Sequence, residues 1–274
     1  MLKARLWTAA ILLPLLLWTL VEGQVWMVAC IVAASATISS FELAKMLARR
    51  LVEKDVEGSG SVTVGLSVAT GLGVFLLGYL ESRVYGFWVL WVCMTSLAVL
   101  LPADMNDRVG RALIVTFTGA YCGGGWLAIW YLYEWGPKAQ ALLFMMTIVI
   151  LSDSAAYFGG TKWGKTKMAP TLSPAKSWEG FGCGIVASVV GALICNEILD
   201  GTFGDSLLVV AMGVCGASAG VVGDLVESSL KRYSGVKDSG SILPGHGGML
   251  DRADASLFAS PVILAFLRNF IESI

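Results

Sequence analysis

Charge is what this sequence has least of. Only 14% of its 274 residues are Asp, Glu, Lys or Arg, against 56% hydrophobic residues, whereas a soluble domain carries about 25% charged residues. So few charges cannot cover the surface of a water-soluble fold of this size, and the mean hydropathy of +0.74 agrees. Histidine is almost missing, with one residue in the chain. The six cysteines, Cys30, Cys93, Cys122, Cys183, Cys195 and Cys215, form no Cys-x-x-Cys pair. Together these two features argue against a Cys/His zinc site. All six thiols sit inside apolar segments, which argues against disulfides and for a role as small packing residues. No internal repeat and no low-complexity stretch is evident, so an inverted-repeat transporter architecture has no support. The net charge of −1 says nothing about partners by itself, and no nucleic-acid partner is expected; the distribution of charge is the informative part.

Long uncharged runs cover 66–80, 87–101, 139–151 and 185–194. With their flanks, most reach the roughly 20 apolar residues that a membrane-crossing helix needs. About nine apolar segments are expected, over 5–21, 24–46, 61–80, 84–101, 112–133, 138–158, 180–199, 206–229 and 251–271. Lys3 and Arg5 ahead of the first resemble a secretory leader. Pro14 interrupts that run and no small-x-small cleavage site follows, so it reads as a retained first helix. The expected fold is all-α: a polytopic membrane helix bundle of about nine transmembrane helices. Gly119 with Gly123, and Gly216 with Gly220, are small-xxx-small pairs suited to close helix approach in lipid.

Orientation follows from Lys and Arg. With the N-terminus cytoplasmic, only Arg83, Lys138 and Arg268 of the 19 basic residues fall on the far side, a strong positive-inside asymmetry. Trp7, Trp26, Trp88, Trp126, Trp135 and Trp163 lie near segment ends, as interfacial anchors do. The cytoplasmic connections 159–179 and 231–250 are long, basic and glycine-rich.

Carboxylates inside apolar segments are expensive, about 2.5–3.5 kcal/mol each on insertion scales. Asp153 and Asp224 lie near the expected cytoplasmic ends of the sixth and eighth segments, and Asp251 and Asp254 open the ninth. Helix capping and ion pairing are the plain reading, and Asp251 alone suits a cap. Their convergence at one depth beside basic loops instead suits a divalent cation that bridges phosphates, since Mg²⁺ takes one or two carboxylates plus phosphate oxygens. On the eighth segment Asp224, Glu227, Ser228 and Lys231 share a helix face. Glu42, in the second segment, is open: it pairs with Lys45 or Arg49, or approaches the site.

Residues 159–166, Gly-Gly-Thr-Lys-Trp-Gly-Lys-Thr, fit P-loop spacing, but a P-loop needs a strand before it, and an apolar helix stands there. The stretch reads instead as glycine amides with Lys162 and Lys165 available to an anion. Residues 173–180 bring Ser173, Lys176, Ser177 and Glu179 to the mouth of the seventh helix, where Ser177 and Glu179 also suit helix initiation. The densest stretch is 228–254. It holds Ser228, Lys231, Arg232, Lys237, Asp238, His246, Gly247, Gly248, Asp251, Arg252 and Asp254. Glycines permit close backbone approach to a ligand, basic groups suit a triphosphate, and carboxylates suit its metal.

This stretch resembles the phosphatidate cytidylyltransferase (CDP-diglyceride synthase) family, whose pattern runs Ser-x-hydrophobic-Lys-Arg, four residues, Lys-Asp, then Pro-x-His-Gly-Gly-hydrophobic-x-Asp-Arg-hydrophobic-Asp. Every fixed position is met; Ala253 stands where a larger apolar residue is usual. Ser173 to Gly180, with Ser177 in place of the common Thr, and Asp153 with Ala156, Tyr157 and Gly159, resemble the family too. The resemblance is strong over about 150–254. It implies transfer of the cytidylyl group of CTP to phosphatidate, with Mg²⁺ and room for a second cation. It implies Asp224 and Asp251 as metal ligands with Asp153 and Asp254 nearby. Lys176, Lys231, Arg232 and Lys237 would neutralise phosphates, and His246 would donate to one; outside the pattern, a lone His is more often structural. Lys162, Lys165, Ser173, Glu179, Ser228, Asp238, Gly247, Gly248 and Arg252 complete the expected CTP and phosphatidate contacts, with Asp224, Asp251, Lys176, Lys237 and His246 the expected catalytic group.

The working division is 1–110 for packing or homodimer contacts and 111–274 for catalysis, in a bacterial inner membrane with the site facing the cytoplasm. A CTP-dependent polyprenol-type lipid kinase is the nearest rival. A cation transporter using Asp153 and Asp224 is a more distant one.

Overall fold

A computed structural model describes residue 14 and residues 17–52, 59–81, 84–102, 104–242 and 247–272. The expected first helix over 5–21 therefore lies mostly outside the described residues, with 17–22 helical. Lys3, Arg5, Trp7, Lys54, Arg83, Pro244 and His246 also lie outside them.

The rest is a succession of helices: α1 Val25–Leu51, α2 Ser59–Glu81, α3 Val84–Leu100, α4 Met105–Thr118, α5 Gly125–Glu134, α6 Gln140–Trp163, α7 Trp178–Ile198, α8 Ser206–Tyr233 and α9 Leu250–Glu272. In an apolar solvent a helix satisfies its own backbone polar groups, which is why these β-branched, glycine-containing runs are helical. Six stretches are long and apolar enough to cross a membrane among the described residues: α1, α6, α7, α8, Gly60–Leu80 and Met105–Glu134. The chain is thus an all-α polytopic membrane protein. The apolar part of α3, Leu90–Leu100, is shorter, and α9 carries Asp251, Arg252 and Asp254 in its first turns.

The chain divides into two units, residues 1–130 with 230–253, and residues 131–229 with 254–274. In the first, α2 packs on α1, α3 and α4. Val28, Val32, Ala36, Leu43, Val74, Phe75, Ile114 and Val115 are buried there. Trp126 Nε1 donates to Ser39 Oγ at 2.9 Å, and Trp91 Nε1 to the Thr116 carbonyl at 3.1 Å. Between α4 and α5, Gly119–Gly124 forms a π turn. A Cβ on Gly119 would lie 2.8 Å from Thr70 Cγ2, and one on Gly123 2.9 Å from Val74 Cβ. The small-residue pair does permit close approach, but on a π turn rather than a regular α-helix.

In the second unit α6 and α7 cross almost backbone to backbone. A Cβ on Gly180 would lie 2.7 Å from the Ala156 carbonyl oxygen, and one on Gly184 2.9 Å from that of Ser152. Ser188 Oγ donates to the Gly213 carbonyl at 3.1 Å, tying α7 to α8. Gly216 faces a side chain instead: a Cβ there would lie 2.9 Å from Ile263 Cδ1 of α9. The expected loop over 159–179 is partly ordered structure. Helix α6 runs on to Trp163, and β1 (Lys167–Ala169) pairs antiparallel with β2 (Ser173–Ser177). The glycines that suggested a loop are the contact surface of a helix crossing, with Gly160 facing Gly180.

Candidate active site

In the second unit, β2 delivers Lys176 just before α7 begins. The start of α7 is set by Ser177, whose Oγ accepts from the Gly180 amide at 3.2 Å, an N-cap that stabilises by about 1 kcal/mol. Lys176 Nζ lies 2.7 Å from Asp224 Oδ2 on α8 and donates to the Val221 carbonyl at 3.4 Å. Ser228, one turn along α8, donates to Asp224 Oδ1 at 3.2 Å. Asp153 on α6 is exposed and sits within electrostatic reach of both Asp224 and Lys176. The Asp224 side chain keeps 40% of its surface open. Two carboxylates, a lysine and a serine from α6, β2 and α8 thus share one patch.

The expected anion site at 159–166 has a different occupant. Residues 159–163 are helical, which removes the P-loop reading. The amides of Lys165 and Thr166 donate to the Glu179 carboxylate at 3.2 and 3.1 Å. Glu179 therefore ties the 164–166 segment to the first turn of α7. The Lys162 ammonium lies 5.0 Å from the centroid of the Trp163 ring. Ser173 opens β2. Asp254, on α9, accepts from the Ala255 amide at 2.8 Å.

In the first unit the dense stretch folds around two carboxylates. Asp251, with 5% of its side chain exposed, pairs through Oδ1 with Lys231 Nζ at 2.8 Å. Its Oδ2 accepts from the amides of Ser239 at 3.0 Å and Gly248 at 2.8 Å. The second carboxylate is Glu42, from the middle of α1 and 3% exposed. Glu42 accepts from the Met249 amide at 3.2 Å, the Leu250 amide at 2.9 Å and Ser239 Oγ at 3.3 Å. Of the two openings left for Glu42 by sequence reasoning, the approach to the dense stretch is the one realised; a carboxylate in an apolar helix was the signal. Arg232, Lys237, Asp238 and Arg252 are exposed. Gly247 adopts φ +83°, the left-handed conformation that glycine supplies without steric cost.

The cytidylyltransferase family model matches residues 3–270. The chain belongs to the cytidylyltransferase family. It is 34% identical to a Pseudomonas aeruginosa protein named phosphatidate cytidylyltransferase, over 97% of both chains. It is 43% identical to a Staphylococcus epidermidis protein of that name, over 53% of this chain and 54% of the other. A chloroplastic phosphatidate cytidylyltransferase of Arabidopsis thaliana is 34% identical over 73% of this chain, a match spanning 44% of the plant protein.

Mg²⁺ is the cation expected from the sequence pattern. Among the described residues no group of three or more His, Cys, Asp or Glu is placed to hold a metal ion. Mg²⁺ does not require one, because it usually keeps waters and phosphate oxygens beside one or two carboxylates. Asp224, with its open flank and Asp153 beside it, fits that habit. Asp251 is more heavily engaged, with two amides on one oxygen and Lys231 on the other.

Proposed function

We propose that this cytidylyltransferase moves the cytidylyl group of CTP onto phosphatidate, giving CDP-diacylglycerol and pyrophosphate in phospholipid synthesis. The observation that carries the reading is the complete 228–254 pattern. Asp251 within it, and Asp224 just ahead of it, are each paired with a lysine, in a chain whose family match runs almost end to end. In the transfer, a phosphatidate oxygen bonds to the α-phosphorus of CTP. The bond from that phosphorus to the β-bridging oxygen breaks, and pyrophosphate leaves with the electron pair. The nucleophile is a phosphate monoester, largely ionised near neutral pH, so no strong general base is needed. The task is alignment and charge neutralisation.

Asp224, with Asp153, is the pair assigned to Mg²⁺, which on binding would polarise phosphoryl oxygens and screen their charge. Asp251 and Asp254 are the further carboxylates assigned to the cations. Lys176, beside Asp224, would neutralise phosphate oxygens. Lys231, Arg232 and Lys237 are assigned the triphosphate and lipid phosphate, and His246 a hydrogen bond to one of them. Lys162, Lys165, Ser173, Ser228, Asp238, Gly247, Gly248 and Arg252 are the further residues assigned to CTP and phosphatidate, and Glu179 orders the 164–166 segment through the 165 and 166 amides.

Nine membrane crossings, a cytoplasmic N-terminus, a site on the cytoplasmic face of a bacterial inner membrane and homodimer contacts through the N-terminal helices complete the proposal. Reporter fusions at the interhelical loops test the topology. The reaction is tested with purified protein in detergent, Mg²⁺, phosphatidate and CTP labelled at the α-phosphate. Label in the lipid, lost in Asp251→Asn, supports the transfer. Transfer from γ-labelled CTP to a long-chain alcohol would instead make the protein a lipid kinase.

A further inference from the structure

Glu42 belongs to none of the patterns that carry the family resemblance, and it stands 197 residues from the first of its partners in the dense stretch. Its position is nevertheless specific. Ser239 and residues 248–250 come together at a neck, and two carboxylates divide the polar groups of that neck. Asp251 takes the Ser239 and Gly248 amides. Glu42 takes the Ser239 hydroxyl and the Met249 and Leu250 amides. Ser239 is thus held through its amide by one carboxylate and through its hydroxyl by the other.

The Met249 and Leu250 amides lie at the start of α9, where helix N–H groups have no partner inside the helix. Their acceptor comes from α1, so one side chain both caps α9 and clamps the neck. The glycines make room for it. A Cβ on Gly240 would lie 2.6 Å from the Glu42 carboxyl carbon, and one on Gly248 2.6 Å from its Oε2. Two glycines on opposite sides of the neck therefore border the same carboxylate.

We propose that Glu42 is a positioning residue for the nucleotide-binding stretch, closing the 239–250 neck so that Lys237, Asp238, Gly247 and Asp251 hold a single arrangement toward CTP. The proposal rests on the functional reading above. Glu42 touches no substrate in it; it acts through the loop backbone and Ser239.

The test is Glu42→Gln, which preserves size but turns one acceptor into an amide donor facing the donors of the neck. Two readouts are taken on folded, monodisperse protein: steady-state CTP kinetics, and hydrogen exchange across 239–250. The expected result is a rise of about tenfold in KM for CTP, with faster exchange in 239–250 and unchanged exchange in α6 and α7. A general loss of folded protein lowers kcat and leaves KM alone, so the KM rise separates positioning from scaffolding. Ser239→Ala should raise KM less, and the double variant should be no worse than Glu42→Gln alone. Wild-type KM and exchange in Glu42→Gln, or additive effects of the two substitutions, would overturn the proposal. If Glu42→Gln does not fold, Ser239→Ala carries the test, and unchanged KM and exchange in it overturn the proposal as well. A wild-type protein without transfer activity would remove the functional reading, while the exchange arm still reports whether Glu42 holds the neck.

Discussion

Replacing Gly180 by Ala adds one methyl group at the α6–α7 crossing, and the structure gives its size. The new Cβ would stand 2.7 Å from the Ala156 carbonyl oxygen and 3.1 Å from both Gly160 Cα and N. Ordinary contact begins near 3.4 Å, so the oxygen is about 0.7 Å too close by subtraction of the two distances. All three neighbours are backbone and cannot rotate away. The helices must separate, and such overpacking costs about 1–3 kcal/mol. Helix α7 begins two residues earlier, at Trp178, and Lys176 lies two residues before that start, so the separation also moves the Lys176–Asp224 pair. A misplacement approaching 1 Å at a reacting centre can cost about 100-fold in rate. Gly182→Ala is the internal control, because nothing lies within 4 Å of its added Cβ and Ala is the better helix former by about 1 kcal/mol. Thermal midpoints in detergent and cytidylyl transfer rates should show Gly180→Ala destabilised and slowed at least tenfold, with Gly182→Ala as stable as the parent or more so. Equal behaviour of the two variants would refute the backbone-to-backbone crossing and its link to the site.

Lys176→Met should leave the thermal midpoint nearly unchanged, since an ion pair with 22% and 40% exposed side chains contributes about 1 kcal/mol or less. Its transfer rate should fall about 100- to 1,000-fold, as when one preorganised charge partner of a phosphoryl transition state is removed. A stability loss with retained activity would make the pair structural. Glu179→Ala removes the acceptor for the Lys165 and Thr166 amides. Limited proteolysis should then cut the 164–172 segment faster while circular dichroism stays helical; unchanged cleavage would mean that β1 and β2 hold the segment unaided. Chelation of divalent cations should abolish transfer and added Mg²⁺ restore it, and Asp224→Asn should raise the Mg²⁺ concentration needed for half-activity.

The helices were legible because apolar length is a local property. From the second expected segment onward, each one meets a helix in the structure. The ends of these helices were not legible in the same way. Gly159 and Gly160 look like loop residues in one dimension, and only the presence of Gly180 and Cys183 opposite them makes a helix there useful. The short β1–β2 hairpin was equally hidden, since Pro174 inside β2 argues against a strand unless the strand lies at a sheet edge, as both strands of a two-stranded sheet do.

The site divides along the same line. The cost of burying a charge marks Asp153, Asp224, Asp251 and Glu42 as residues that require partners, because an unpaired carboxylate in an apolar helix is disfavoured whatever the fold. That cost does not say which partner is found. Asp224 and Lys176 meet because α8 passes β2, and Glu42 meets the Met249 and Leu250 amides because α1 passes the start of α9. Local patterning could therefore nominate the dense stretch as the place of chemistry but not its clamp, which lies on a helix near the other end of the chain. The sequence reading asked of Asp251 that it cap a helix or hold a cation. The structure adds a neck shared with Glu42, in which one Asp251 oxygen serves the backbone and the other faces Lys231. The lysine and the amides thus engage different oxygens, so a substitution of Lys231 would leave the acceptor of the Ser239 and Gly248 amides in place.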